Sequence, residues 1–169
     1  MAIAQPSYVS YVPGVTFAGG EVLPVSTREA DDFRLTVDGL EAAGAESADL
    51  LVLNYPNNPT GAVMPADDLE PVAAFAREHD LLVVTDRDLR RTHLRRRSHL
   101  DCDVPGTRDR TVVINGFSKA YAMTGLRLGY ALAPSVAVDA MNRVHQYTML
   151  SAPTTAQHAA LEALDSCAG

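Results

Sequence analysis

Residues 50–86 read LLVLNYPNNPTGAVMPADDLEPVAAFAREHDLLVVTD, and this stretch decides the fold. Two short apolar runs, at 50–53 and 81–85, flank a helical pattern over 65–79 in which apolar residues recur every three or four positions. Runs that are continuously apolar, rather than alternating with polar residues, are typical of strands covered on both faces. The order strand, helix, strand therefore predicts an α/β fold with parallel strand pairing.

The same patterns continue outward from this unit. Strand-like runs lie at 111–114 and 128–132, and helical patterns cover 136–149 and 154–164. The chain has no internal repeat, low-complexity tract or Gly/Ser-rich linker that would divide it. We therefore expect one α/β unit over residues 1–169, built on a mostly parallel sheet flanked by helices.

The two ends of the chain lack the signals of a complete domain. Residues 2–6, AIAQP, are typical of the end of a strand whose partners lie elsewhere. At the other end, a helical pattern continues almost to the last residue. These features predict that the sequence is a fragment of a larger domain.

The composition excludes several classes of protein. The chain has 169 residues, of which 47% are hydrophobic and 21% charged, and this hydrophobic content argues against a disordered chain. Its net charge of −7 argues against general nucleic-acid binding. Its apolar runs are too short to span a membrane. Cys102 and Cys167 are too few for a disulfide scaffold, and neither they nor the five histidines have metal-ligand spacing. We expect no metal and a reducing, cytoplasmic setting.

The basic residues are used unevenly. Lys119 is the single lysine among 14 basic residues. Six arginines and one aspartate within residues 87–97 give that segment a charge of +5, which is more typical of a solvated face than of a polyanion site. Because a guanidinium stays protonated, arginine cannot replace lysine as an amine nucleophile. The placement of the only lysine therefore points to a chemical role.

The first two predicted strands end in candidate ligand-binding residues. Residues 54–61, NYPNNPTG, have two prolines and a glycine that restrict the backbone, so that Asn58 could be held toward a ligand; a plain turn is the alternative. Asp86 follows the second run, either as a cap of the next segment or as the partner of a cationic ligand nitrogen. Ligands of α/β sheets bind beyond the carboxyl ends of the strands, where both residues lie.

The third strand-like run leads into residues 115–130, NGFSKAYAMTGLRLGY. Lys119 lies here among apolar side chains that are expected to keep water from its amine, although a lysine at a strand end is usually solvated. Arg127, eight residues on, has the forked donors that suit a phosphate. An amine, a carboxylate, an amide and an arginine are together the groups that pyridoxal phosphate requires.

With these motifs the chain resembles the class I and II aminotransferases of fold type I, in the aspartate and aromatic aminotransferase group. The motifs occur in the family's order, with Asn58 and Asp86 28 residues apart and Asp86 and Lys119 33 residues apart. The resemblance covers nearly the whole chain. Its motifs are PSYVSY at 6–11, AGG at 18–20, YPNNPTG at 55–61, Asp86, and GFSK at 116–119 through RLGY at 127–130.

The resemblance implies an enzyme that transfers an amino group between an amino acid and a 2-oxo acid. It implies pyridoxal 5′-phosphate as cofactor, the large domain of fold type I as the fold, and a homodimer as the assembly. In this resemblance Lys119 is the Schiff-base lysine and moves a proton between the alpha carbon and C4′ of the cofactor. The other implied roles are ring stacking by Tyr8, pairing with the pyridine nitrogen by Asp86, hydrogen bonding to the phenolic oxygen by Asn58, and phosphate binding by Ser118 and Arg127.

The chain departs from the family pattern at several points. Leu89 stands where a tyrosine commonly bonds the phenolic oxygen, and Gly116 stands where some members have a phosphate-binding serine. Family chains are more than twice as long, so we expect the first part of the large domain and the whole small domain to be absent. Two alternatives to an active enzyme stay open: a catalytically inactive truncated remnant, and an accessory α/β domain that binds a phosphate ligand without using Lys119 covalently.

Overall fold

The computed structural model describes residues 1–86 and 106–166, which form one six-stranded sheet flanked by helices. The strands are β1 (Ala2–Gln5), β2 (Leu23–Ser26), β3 (Leu50–Leu53), β4 (Leu82–Asp86), β5 (Thr111–Gly116) and β6 (Gly129–Leu132). The α-helices are α1 (Tyr11–Phe17), α2 (Val37–Ala42), α3 (Ala66–Glu78), α4 (Ser135–Thr148) and α5 (Thr154–Ser166).

The strand order in the described part of the chain is β2-β1-β3-β4-β5-β6. The first five strands pair in parallel, and β6 runs antiparallel to β5. In the pairing register, Leu53 lies opposite Thr85 and Asp86 lies opposite Ile114. The carboxyl ends of β3, β4 and β5 therefore lie along one edge of the sheet, where the candidate ligand-binding residues follow.

Alternate residues of the central strand β3 enter two separate cores. Leu51 and Leu53 are buried in the larger core together with residues of α2 and α3. Val52 is buried in a smaller core with Val15 of α1 on the other face of the sheet. Burying a leucine fully contributes about 1.5–3 kcal/mol, so helices on both faces hold β3 at the centre of the sheet. The continuously apolar run at 50–53 follows from this double burial.

The structure confirms the α/β class and most of the predicted elements. β3 occupies the predicted residues 50–53, and the other predicted strands and helices lie within about two residues of their expected bounds. The sequence does not predict β2, α1 or α2, because each is short and contains a proline or a glycine, as Gly39 in α2. Pro24 lies in β2, at an edge of the sheet where a missing N–H is tolerated, and Pro13 and Gly14 lie within α1.

One strand contradicts its prediction. The apolar run at 128–132 predicts a strand covered on both faces, yet all four residues of β6 are exposed within the described ranges. The reason is its place in the sheet. Among the described strands, β6 pairs only with β5 and runs antiparallel at the edge, so its side chains lack the neighbours that a central parallel strand has on both sides.

The predictions made above for Leu89, for the arginine-rich segment 87–97, and for Cys102 and Cys167 concern residues outside the described ranges. Across residues 1–86 and 106–166, none of the helices combines the length and the apolar character that crossing a membrane requires.

Helix α4 presents an apolar surface. Within the described ranges none of its residues is buried. Val144 is 65% exposed and Tyr147, one turn further on, is 87% exposed. Exposed apolar surface of this extent marks places where proteins associate.

We predict that the protein self-associates through α4. In size-exclusion chromatography with light scattering, the parent should elute above its monomer mass of 18.1 kDa, and the double variant Val144→Asp/Tyr147→Asp should shift toward that mass. Ala74→Asp, at an exposed position of α3, is the matched control and should behave as the parent. A parent that elutes as a sharp monomer would contradict this prediction.

Candidate active site

The ends of β3 and β4 are tied together by the side chain of Asn54. Because Leu53 lies opposite Thr85, the next residues on the two strands, Asn54 and Asp86, are neighbours. The buried Asn54 amide donates from Nδ2 to the backbone carbonyl of Asp86 at 3.3 Å, and its Oδ1 accepts from the backbone N–H of Asn58 at 3.1 Å. One buried amide thus fixes the Asn58 loop relative to the end of β4.

Asn57 holds the same loop from within. Its Oδ1 accepts from the backbone N–H and the hydroxyl of Thr60 at 3.2 and 2.9 Å, and its Nδ2 donates to the carbonyl of Pro6 at 3.3 Å. Gly61 closes the turn with a φ of +73°, a conformation that favours glycine. Residues 54–61 are therefore the restrained loop that the prolines predict. The buried anchors are Asn54 and Asn57, whereas Asn58 itself is exposed.

Asp86 receives a hydrogen bond from a distant part of the chain. The Tyr11 hydroxyl donates to Asp86 Oδ2 at 2.7 Å, across 75 positions of sequence. Tyr11 also packs edge-on against Tyr8, with ring centroids 5.7 Å apart and an interplanar angle of 76°. The structure therefore brings two of the residues singled out in the sequence, Tyr8 and Asp86, into contact with one intermediate side chain.

Lys119 follows β5, the strand that pairs with β4. Its side chain is exposed within the described part of the molecule, which contradicts the expectation that neighbouring apolar groups cover the amine. The neighbouring aromatic rings pack elsewhere. Phe117 turns inward and is buried, and Tyr121 and Tyr130 lie 5.3 and 5.6 Å from its ring. The rings thus support the base of the loop and leave Lys119 at the surface.

Ser118 and Arg127 are connected through a short 3-10 helix, Thr124–Leu126. The Thr124 hydroxyl donates to the carbonyl of Ser118 at 2.9 Å, and Arg127 donates from Nη1 to the carbonyl of Thr124 at 2.9 Å. Arg127 has a φ of +54°, which is strained for a residue with a side chain. The loop therefore links the two residues predicted to bind phosphate.

A close backbone contact at the β5–β6 pair closes this loop. Gly116 lies opposite Gly129, and the Phe117 N–H donates to the carbonyl of Leu128 at 3.2 Å. A Cβ added at Gly129 would lie 3.0 Å from the carbonyl oxygen of Asn115, so a side chain there would push the two strands apart. The loop that carries Lys119, Ser118 and Arg127 is thus held at both ends by the sheet.

The family model described as "Aminotransferase class I and II" matches residues 1–168. The chain belongs to this family. It spans about two-fifths of the length of the relatives it matches. These include the aromatic-amino-acid aminotransferase 2 of Thermococcus litoralis and the aspartate aminotransferase of Pyrococcus abyssi, which are 42% and 41% identical over 163 residues, with 96% of this chain and 42% of each relative covered.

Solved structures agree with this assignment. The aromatic aminotransferase of Pyrococcus horikoshii superposes with a TM-score of 0.91 at 41% identity, covering 96% of this chain and 44% of that chain. An aspartate aminotransferase of Thermus thermophilus, solved with maleate, gives a TM-score of 0.91 at 38% identity, covering 96% and 42%. The mostly parallel sheet with flanking helices therefore matches the large domain of fold type I, as the resemblance implies.

Sequence reasoning missed the residues that hold the site together. Asn54 and Tyr11 each donate a hydrogen bond to Asp86, and Asn57 fixes the loop of residues 54–61. A signal for Asn54 is present, since an amide placed directly after an apolar strand is costly to bury without partners. The sequence around Tyr11 gives no comparable sign of its role, because the residue to which it donates, Asp86, is 75 positions away.

Tyr55, in the same restrained loop, is a buried phenol. It is 6% exposed, and its hydroxyl donates to the carbonyl of Phe33 at 3.0 Å. Burial raises the pKa of Tyr55 to about 12, because the phenolate would lose its hydration, and a backbone hydrogen bond at Leu35 acts in the opposite direction. The neutral form is therefore the one that the folded chain favours.

The elevated pKa of Tyr55 predicts a loss of stability at alkaline pH. Its folded-state pKa of about 12 lies above the ordinary value of 10, so its contribution is complete below pH 10 and is lost as the pH rises toward 12. Tyr55 alone should lower the free energy of unfolding by up to about 1.4 kcal/mol per pH unit in that window. Urea unfolding at pH 8, 10 and 11 measures this.

In Tyr55→Phe the additional alkaline loss should disappear. At pH 8 this variant should lose only about 0.5–1.5 kcal/mol for the missing hydrogen bond to Phe33. Tyr147→Phe, which removes an exposed hydroxyl, is the matched control and should keep the parent's pH dependence. An identical alkaline loss in the parent and in Tyr55→Phe would contradict the assignment.

Proposed function

We propose that this chain supplies the pyridoxal-phosphate-binding part of an aminotransferase that transfers an amino group between an amino acid and a 2-oxo acid. In this proposal residues 1–169 are part of the large domain. The observation that carries it is the placement of Asp86 at the carboxyl end of β4, beside β5, the strand that leads into the Lys119 loop. Membership of the aminotransferase family supports the same conclusion.

The donor groups at this edge of the sheet fit the functional groups of pyridoxal phosphate. That cofactor carries a ring nitrogen that can be protonated, a phenolic oxygen, an aldehyde and a phosphate, and each needs a partner of different chemistry. The chain offers at least one candidate partner for each of these groups. The proposed partners are Asp86 for the ring nitrogen, Asn58 for the phenolic oxygen, Lys119 for the aldehyde, Ser118 and Arg127 for the phosphate, and Tyr8 for the face of the ring.

When bound, pyridoxal phosphate supplies an electron sink for the alpha carbon of an amino acid. The side chains of this protein would supply the rest. The Asp86 carboxylate would keep a proton on the ring nitrogen. The Lys119 Nζ would hold the cofactor covalently at its aldehyde carbon until the amine of the substrate displaced it there. The freed Nζ would then take a proton from the alpha carbon of the substrate and deliver it to C4′ of the cofactor. The Arg127 guanidinium would neutralise the phosphate.

The proposed partners follow from the same resemblance. An amino acid and a 2-oxo acid are the proposed substrates, and a second copy of this chain is the proposed protein partner. The exposed apolar residues of α4 and β6 support association of this kind. The small number of cysteines supports the cytoplasm as the proposed location.

We predict that pyridoxal phosphate becomes attached to Lys119. Protein incubated with the cofactor, reduced with borohydride and digested should carry the label on the peptide that contains Lys119, as read by mass spectrometry. Lys119→Ala and the charge-preserving Lys119→Arg should both lose this label, because neither side chain is an amine nucleophile. Arg143→Ala, which removes an exposed cation on α4, should label as the parent does.

The amino terminus serves as the internal control for this labelling experiment. Lys119 is the only lysine, so the Met1 amine is the other amine that could react. Label that persists in Lys119→Ala would reside on Met1 and would contradict the assignment of Lys119. A parent without label that still binds the cofactor reversibly would favour the accessory phosphate-binding domain instead.

A further inference from the structure

Tyr11 stands at the meeting point of the smaller core and the candidate active site. It is the first residue of α1, and its ring packs against the smaller core, which contains Ile3 and Val52. Val15, one turn further along α1, is buried in the same core. The position of Tyr11 is therefore fixed by the packing of α1 on the sheet, independently of any ligand.

From this fixed position the Tyr11 side chain reaches two residues of the proposed cofactor site. Its hydroxyl donates to Asp86 Oδ2 at 2.7 Å, and its ring meets the Tyr8 ring edge-on at 5.7 Å. A hydroxyl that donates to a carboxylate forms a charge-assisted hydrogen bond, which is shorter and stronger than a neutral one. The backbone of Asp86 is held separately, through its carbonyl, by Asn54.

We propose that Tyr11 is a positioning residue, which orients the Asp86 carboxylate toward the protonated ring nitrogen of a pyridine-type cofactor. This inference rests on the proposed function. Asn54 sets where the main chain of Asp86 lies, and Tyr11 sets the rotation of the carboxylate about the side chain by holding Oδ2. A carboxylate that is already oriented loses less conformational freedom when it meets its ligand, so binding through the ring nitrogen is tighter.

A pair of ligands separates this role from a purely structural one. The first is pyridoxal phosphate, and the second is its analogue in which a C–H replaces the ring nitrogen. Both carry the aldehyde, the phenol and the phosphate, but only the first offers a partner to Asp86. The dissociation constants of both ligands are measured by equilibrium dialysis for the parent, Tyr11→Phe, Asp86→Asn and Tyr147→Phe.

The parent should bind pyridoxal phosphate more tightly than the analogue. Tyr11→Phe should weaken the binding of pyridoxal phosphate roughly tenfold, the lower end of the range for one hydrogen bond to a charged group, and should leave binding of the analogue unchanged within about twofold. Asp86→Asn should lose the same preference, and Tyr147→Phe should keep it. Because the two ligands report on the same protein sample, their ratio does not depend on the fraction that is folded.

Two outcomes would overturn the role of Tyr11 while leaving the proposed function standing. In both of them Tyr11→Phe keeps the full preference for pyridoxal phosphate. In the first the variant binds both ligands as tightly as the parent does, and in the second it weakens both equally, as loss of a purely structural residue would. A parent that binds both ligands alike and carries no label on Lys119 contradicts the proposed function itself, and the role of Tyr11 with it.

Discussion

The parallel register of β3, β4 and β5 is the constraint on which the rest of the structure depends. With Leu53 opposite Thr85, and Asp86 opposite Ile114, the three strands end at the same edge of the sheet, and β5 continues for two residues beyond Ile114. The restrained loop after β3, the carboxylate at the end of β4 and the Lys119 loop after β5 then share one edge of the sheet. A shift of one residue would turn every side chain of the shifted strand to the other face, so burial on both faces protects this register.

A small set of buried or partly buried polar side chains links the segments at this edge of the sheet by hydrogen bonds. Asn57 joins the loop after β3 to the end of β1, Asn54 joins it to the end of β4, and Tyr11 joins α1 to the Asp86 carboxylate. Buried polar groups are costly when they lack partners and rigid when they have them. The residues proposed to touch the cofactor are more exposed, as Lys119 is, while the residues that position them lie deeper.

The sequence predicts the class of the fold and the location of the site, because both depend on local patterns. Continuous apolar runs mark the central strands, and unusual loops after them mark the carboxyl edge. Two features cannot be predicted from local patterns. The exposure of β6 and of Lys119 depends on which elements pack nearby, and the hydrogen bond from Tyr11 to Asp86 joins residues 75 positions apart. Neither leaves a periodic signal in the chain.

The most direct test of this account is a crystal structure of the protein after incubation with pyridoxal phosphate and reduction with borohydride. We expect density for the cofactor that is continuous with Lys119 Nζ, with the ring nitrogen at hydrogen-bond distance, about 2.6–3.2 Å, from the Asp86 carboxylate. Such a geometry requires the ends of β4 and β5 to form one site. A cofactor joined to Lys119 whose ring nitrogen points into solvent, away from Asp86, would contradict the account.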